Sequence, residues 1–181
     1  MDFFGRWRVR LGYGLAVVVL LLAQPTPHSI LLGALIGLLG LTVRAYAAGY
    51  LNKQAVLTTT GPYALTRNPL YLGSSILALG AAVAIHSFWA AGLLAVYFAV
   101  VYSFVIRREE LELRARHGAV FDAYASAVPL FFPRLTAKAT PASETNAFSW
   151  SQFRKNHEYE ASFGFLLLLL MLVVIWRLRT A

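Results

Sequence analysis

The chain reads as an all-α, multi-span transmembrane helical bundle, and three observations carry that reading. Of its 181 residues, 59% are hydrophobic and 13% charged. With a mean hydropathy of +0.62, it has more apolar surface than one water-soluble core of this size hides. The apolar residues fall into about five runs separated by polar or proline-containing breaks. The 16 Lys and Arg outnumber the 8 Asp and Glu, and they cluster at the ends of the runs. That placement is the habit of membrane loops and argues against a nucleic-acid partner. The absence of cysteine excludes disulfides, thiolate nucleophiles and cysteine metal sites.

The first run, Leu11 to Ala23, follows Arg6, Arg8 and Arg10 and stops at Gln24-Pro25-Thr26-Pro27. It is short of the roughly 20 residues that a crossing takes. A cleaved signal peptide is the rival reading, but no small-x-small pattern stands near Gln24 and further spans follow. The second run, Ser29 to about Leu51, is long enough to cross with some tilt, and its Arg44 lies near enough to one end to snorkel. Leu70 to Ile85 and Phe88 to Ile106 are joined only by His86-Ser87, which makes them an antiparallel hairpin.

From Arg107 the sequence Arg-Arg-Glu-Glu-Leu-Glu-Leu-Arg-Ala-Arg-His extends the fourth run as a polar helix. Glu110 with Arg114, and Glu112 with Arg116, stand four apart and are expected to pair. Gly118 ends the helix. Thr136 to Asn146, with Lys138, Pro141, Ser143 and Glu144, reads as a flexible linker. Trp150, Phe153 and His157, flanked by Arg154 and Lys155, are expected on one face of an interfacial helix. The last run, Phe163 to Trp176, has a length that fits either a span or a re-entrant dip. Gly33 with Gly37, and Ala91 with Ala95 and Ala99, have the spacing of helix contacts inside a bundle. The organisation is therefore 1–56, N-terminal transmembrane helices; 57–134, a loop, helical hairpin and cytoplasmic helix; 135–161, linker and interfacial helix; and 162–181, a C-terminal apolar helix.

Orientation follows from the loop arginines and lysines. With the N-terminus cytoplasmic, only Arg177 and Arg179 fall outside. We therefore expect a multi-pass protein of a prokaryotic cell membrane, with its distinctive polar features on the cytoplasmic side. There are two such features. Gly61-Pro62-Tyr63-Ala64-Leu65-Thr66-Arg67-Asn68-Pro69-Leu70-Tyr71-Leu72-Gly73 cannot be one regular helix, because proline removes donors and pushes the preceding residue out of the α region. It builds a shaped loop. Glu109-Glu110 stands at the membrane exit of the fourth run, where an ionisable pair is costly enough to suggest a role. His28, His86 and His157 are scattered at segment ends without metal-ligand spacing, so no metal is expected.

Beyond these, Phe121-Asp122-Ala123-Tyr124 and Val128-Pro129 with Pro133 complete an ordered pattern. Together with Gly61-Pro62-Tyr63, Arg67-Asn68-Pro69-Leu70-Tyr71-Leu72-Gly73 and Glu109-Glu110 with Leu113, it resembles the integral-membrane methyltransferases that include isoprenylcysteine carboxyl methyltransferase and the phospholipid N-methyltransferases. The resemblance covers Leu57 to Arg134. It implies an S-adenosylmethionine-dependent enzyme with a cytoplasmic, cofactor-binding C-terminal half, acting in the lipid bilayer on a lipophilic methyl acceptor, either carboxylate or amine.

On the matching positions, the resemblance makes Arg67, Asn68 and Glu110 catalytic candidates, and Tyr63, Arg67, Asn68, Tyr71, Gly73, Glu109, Glu110 and Tyr124 cofactor-binding ones. Arg67 suits the methionine carboxylate, a glutamate suits the ammonium or ribose, and Tyr63, Tyr71 and Tyr124 suit a sulfonium cation. Asn68 stands where relatives often carry histidine, and an amide cannot titrate. Should an ammonium acceptor need deprotonation, Glu109, Glu110 or His117 is the available base. Two other readings are weaker. A sterol-type reductase using NADPH lacks a glycine fingerprint here, and a transport or assembly module calls for polar groups at mid-membrane.

Overall fold

The computed structural model describes residues 3–52, 57–136 and 147–180, with side chains from residue 11 onward. Among them are seven α-helices and no strand: α1 Phe3–Leu22, α2 Pro27–Tyr50, α3 Pro69–Ile85, α4 Phe88–His117, α5 Ala119–Ala127, α6 Trp150–Lys155 and α7 Tyr159–Thr180. By length and composition α2, α4 and α7 can cross a membrane, whereas α3 and the Leu11–Leu22 part of α1 are shorter apolar helices. At 1.5 Å per residue, the 17 residues of α3 reach about 25 Å. The last run does not stop at Trp176: its helix begins at Tyr159 and ends at Thr180, so its polar flanks bring it to crossing length. Residues 137–146 of the expected linker and Lys53 lie outside the described residues, as do the side chains of Arg6, Arg8 and Arg10.

The breaks fall where local chemistry dictates. Thr26 caps α2 in a reciprocal box with Ser29, with Pro27 in the first turn, where its missing donor costs nothing. His86, left-handed at φ 55°, ends α3, and the Ser87 side chain accepts from Ala90 N–H to start α4. The two turns meet at one end of the bundle, where Gln24 N–H donates to Ile85 O at 2.9 Å. Val19, Ala23, Ala84, Ile85, Ala90 and Leu172 form the core there. Outward, Leu31, Leu35, Val96, Val100, Leu166 and Leu170 are among many exposed apolar side chains, as a bundle solvated by lipid requires.

Helices α2 and α3 pack backbone to backbone. A Cβ on Gly80 would lie 2.7 Å from Gly33 O and 2.6 Å from Gly37 N, and one on Gly40 would lie 2.6 Å from Leu77 N. This close approach is what small residues provide where no hydrophobic effect drives helices together. The expectation for Gly33 and Gly37 thus holds, with Phe165 of α7 seated on Gly37. Ala95 and Ala99 instead face outward, because α4 touches its neighbours along only a narrow edge. Gly80→Leu is expected to cost about 1–3 kcal/mol by forcing the two backbones apart. The check is the thermal midpoint of the detergent-purified protein against Gly92→Leu, where a Cβ meets nothing within 4 Å.

At the other end, α4 continues as one helix of 30 residues to a Gly118 cap at φ 53°, as expected. Its anticipated internal ion pairs do not form. Glu110 is taken by Arg67 at 3.1 Å, Glu112 by Arg108 at 2.8 Å, and Arg114 reaches Asp122 at 2.7 Å. Partners on other segments take Glu110 and Arg114, while Glu112 pairs within α4 with the residue one turn before it rather than one turn after. Helix α6 ends at Lys155, so His157, at φ 55°, lies past it and shares no helical face with Trp150 and Phe153.

Candidate functional site

Two irregular segments fasten each other at this end. In the first, Gly61 takes φ +59°, and a Cβ there would strike the Tyr50 ring at 2.6 Å, so both conformation and space demand glycine. Gly61–Ala64 is a short 3-10 turn. The segment then pairs with residues 128–134: Arg67 N–H donates to Pro129 O at 2.9 Å and Arg134 N–H to Leu65 O at 3.1 Å. Side chains reinforce the clasp. The Thr66 hydroxyl donates to Phe131 O at 2.8 Å, the Asn68 amide to Leu130 O at 3.0 Å and the Tyr124 hydroxyl to Tyr63 O at 2.8 Å. Arg134 spreads its guanidinium over Ala64 O, at 2.8 Å from Nη2, and over Ala127 O. Beneath lies a second core of Leu57, Phe121, Tyr124 and Val128.

The clasp holds the start of α3 against the polar half of α4. Arg67 meets Glu110 at 3.1 Å, and the Tyr71 hydroxyl donates to Glu109 Oε1 at 2.7 Å. The Tyr71 ring packs on Tyr102 at 5.0 Å between centroids. Between α2, this loop and α4 opens a cavity of about 480 Å³, within the range of small-molecule sites. Arg67, Asn68 and Tyr71 line it from α3 and the residues before it, Glu109, Arg116 and His117 from α4, Tyr63 and Thr58 from the loop and Tyr124 from α5.

Most of the expected residues therefore converge, though not in equal roles. Tyr63, Arg67, Asn68, Tyr71, Glu109 and Tyr124 line the cavity. Glu110 stands behind Arg67 and pairs with it. Gly73 faces away: it is the notch in α3 where a Cβ would lie 2.7 Å from Arg44 Cγ and 2.9 Å from Gly40 O. The Asn68 amide is engaged with Leu130 O, so this residue ties the clasp while lining the site. Burial pushes the Tyr63 and Tyr124 phenols well above their usual range, so both stay neutral donors.

Two residues escaped the sequence reading. Arg44, expected to snorkel, turns into the cavity wall; Nη1 donates to Ser74 and Nη2 meets Glu158 at 2.7 Å. Glu158 is nearly buried, at 9% exposure. No local pattern links positions 44 and 158. What delivers Glu158 is the docking of the segment before α7 on the end of α2, where Asn156 Nδ2 donates to Ala48 O at 2.9 Å and Leu51 O at 3.1 Å, and Phe148 packs on Gly49.

Several buried polar atoms around the cavity have no hydrogen-bond partner: Tyr63 Oη, Arg67 Nε and Arg44 Nε among the donors. Buried donors left in this state are costly unless a ligand supplies acceptors. Among the described residues, no three His, Asp or Glu side chains gather as a metal site would need.

Comparison with known proteins overlaps the expected 57–134 as far as residue 119 and takes in α2 as well. The phospholipid methyltransferase family model matches residues 27–119. A nickel-cobalt-cadmium resistance protein of Alcaligenes xylosoxydans xylosoxydans is 38% identical over 145 residues, 73% of this chain and 65% of that protein. A cobalt-zinc-cadmium resistance protein of Cupriavidus metallidurans is 36% identical over 107 residues, 56% of this chain and 49% of its own length. The chain thus spans less than two thirds of either relative. No solved structure matches.

Proposed function

We propose, since this chain belongs to the phospholipid methyltransferase family, that it is a membrane methyltransferase that takes S-adenosylmethionine into the cavity between α2, α3 and α4 and methylates a lipid-phase acceptor. The observation that carries this reading is the convergence of Arg67–Glu110 and Tyr71–Glu109 on one cavity wall. Acidic, basic and aromatic side chains, with Glu109, Arg67, Tyr63, Tyr71 and Tyr124 among them, line the cavity together, as a zwitterionic sulfonium compound needs.

The residues fit the cofactor. Its carboxylate offers acceptors to the unpartnered Arg67 Nε, and Glu110 holds the guanidinium in place from behind. Glu109, oriented by the Tyr71 hydroxyl, has acceptor capacity left for an ammonium or a ribose hydroxyl. Tyr63, Tyr71 and Tyr124 supply ring faces for a cation, a contact of about 0.5–2 kcal/mol where water is excluded. Bound there, S-adenosylmethionine would supply an electrophilic methyl group that moves by direct displacement. The chain's contribution is then alignment and exclusion of water, and no covalent enzyme intermediate is required. A carboxylate acceptor needs no base; for an ammonium, Glu109 or His117 at the cavity wall is placed to take the proton.

The two relatives are named for resistance to metals. We extend that context to this chain as a proposal: methylation of a membrane component, rather than capture of the cation, is the contribution that a cavity of arginine, tyrosine and paired glutamate supports. Calorimetry on the detergent-purified chain is expected to show S-adenosylmethionine binding with a Kd on the order of 1–100 µM and none of NADPH. Lipid extracts from cells with and without the chain should then differ by a species one methyl heavier. Heat from NADPH and none from S-adenosylmethionine would sink the proposal in favour of a reductase.

A further inference from the structure

The segment from Pro129 to Leu135 reverses the usual polarity of a protein surface. Pro129, Leu130, Phe132, Pro133 and Leu135 are exposed, Phe132 by 79%. The charged side chain among them, Arg134, turns inward to the carbonyls of Ala64 and Ala127. Water selects the opposite arrangement, and a contiguous exposed apolar patch marks contact with something apolar. At the same end of the molecule the tail of α4 and α5 keep the ordinary order, with Arg108, Glu112, Arg114 and Asp122 all exposed in ion pairs. The two flanks therefore face different media.

The depth of the segment says which apolar medium it meets. Arg67 N–H holds Pro129 O and the Asn68 amide holds Leu130 O, so the segment lies level with the start of α3 at Pro69. In that first turn the Tyr71 ring packs on Tyr102, which belongs to the apolar part of α4 ahead of Arg107. Helix α3 reaches about 25 Å and the hydrocarbon is about 30 Å thick, so its start falls short of the far boundary, and tilt only shortens the reach. The backbone suits that position, because irregular chain is tolerated against lipid only where its polar groups are satisfied. Pro129 and Pro133 bring no donor. The carbonyls of Pro129, Leu130 and Phe131 accept from Arg67, Asn68 and Thr66, while the N–H groups of Val128 and Arg134 donate to Tyr124 O and Leu65 O.

We propose that residues 129–135 form a wedge seated in the bilayer interface, continuous with the lipid-facing sides of the spans, so that the membrane surface is itself a partner of the clasp. The wedge presents its apolar side chains outward to lipid and its carbonyls inward to Thr66, Arg67 and Asn68. Seating in lipid therefore steadies the segment from which Arg67 and Asn68 reach the cavity. This coupling rests on the proposed function, whereas the seating does not.

Because the chain has no cysteine, a single one can be placed and labelled without further changes. Phe132→Cys is compared with Ala123→Cys on the exposed side of α5 and Val96→Cys on the exposed apolar side of α4. Each full chain carries the fluorophore NBD and sits in a phosphatidylcholine nanodisc. Phosphatidylcholine spin-labelled near the headgroup is expected to quench position 132, like position 96, about threefold more than position 123, and aqueous iodide to quench in the reverse order. Iodide quenching at 132 equal to that at 123 overturns the wedge. So does a probe at 132 that neither quencher reaches, as beneath a second copy of the chain. For the coupling, Phe132→Ser with Leu135→Ser alters only exposed side chains and should weaken S-adenosylhomocysteine binding in nanodiscs about threefold, while the apolar exchange Phe132→Leu with Leu135→Phe should keep it. Unchanged affinity in the serine variant overturns the coupling. A parent chain that binds no S-adenosylhomocysteine strikes the methyltransferase reading instead, and the quenching still decides the wedge.

Discussion

Arg67→Met is expected to weaken S-adenosylmethionine binding by about 100-fold, close to 2.7 kcal/mol. The arginine is 15% exposed, stands at the cavity wall, is held by Glu110 through Nη1 and keeps an Nε without a partner. Methionine keeps the stem's packing but offers no donor. Lysine at this position should recover little, because a point charge cannot present the planar fork. The variant also strands Glu110, at 27% exposure, without its cation, so lower stability alone must be separated from lost recognition. Adding Glu110→Gln makes that separation: the double variant should regain thermal stability while its affinity stays low. In the converse single variant, Glu110→Ala, Arg67 remains but is no longer held, and a smaller loss of about tenfold is expected. Equal affinities for wild type and Arg67→Met in calorimetry would remove Arg67 from the site.

The legible and illegible parts of the molecule divide along the distance over which their causes act. Helix ends were legible because Pro25 and Pro27, His86-Ser87 and Gly118 act within a turn. The meeting of the 57–68 loop with Glu109 and Glu110 was legible from motif order, and the structure brings Arg67 to Glu110 and Tyr71 to Glu109. The two local pairs expected on the same helix then failed, although Arg108 and Glu112 form another at the same spacing. Glu110 and Arg114 have ideal spacing, but an exposed pair of that kind is worth only about 0.3–0.5 kcal/mol, less than the half-buried partner that Arg67 offers. Gly73 read as part of a ligand loop because its neighbours are, yet it is already one turn into α3, facing α2. The Arg44–Glu158 pair joins positions 114 residues apart and has no signature in either neighbourhood. Only the docking of the segment after the linker, through Asn156 and Phe148, creates it.

Arg134→Met should be the most disruptive change outside the cavity, lowering stability by about 2–4 kcal/mol on the scale of charge-assisted bonds lost together with the carbonyls they satisfied. Three of its donors serve Ala64 O and Ala127 O, while its own backbone N–H joins Leu65 O. Removing the side chain therefore frees the 3-10 turn from the end of α5 but leaves the backbone pair in place. The site is built on that turn. Tyr63 is within it, and Arg67 and Asn68 follow it directly, held by bonds to Pro129 O and Leu130 O. Cofactor affinity should fall with stability although Arg134 lines no part of the cavity. The remaining hydrogen bonds of the clasp then predict a gradient: Thr66→Val, which deletes one hydroxyl bond to Phe131 O, should cost about 1–2 kcal/mol and less affinity. Thermal midpoints and S-adenosylmethionine titrations on the two variants give the check. Because the clasp and the cofactor contacts are mechanically in series, the two measures should decline together from Thr66→Val to Arg134→Met. A stable Arg134→Met protein with full affinity would mean that the turn holds its shape without the arginine.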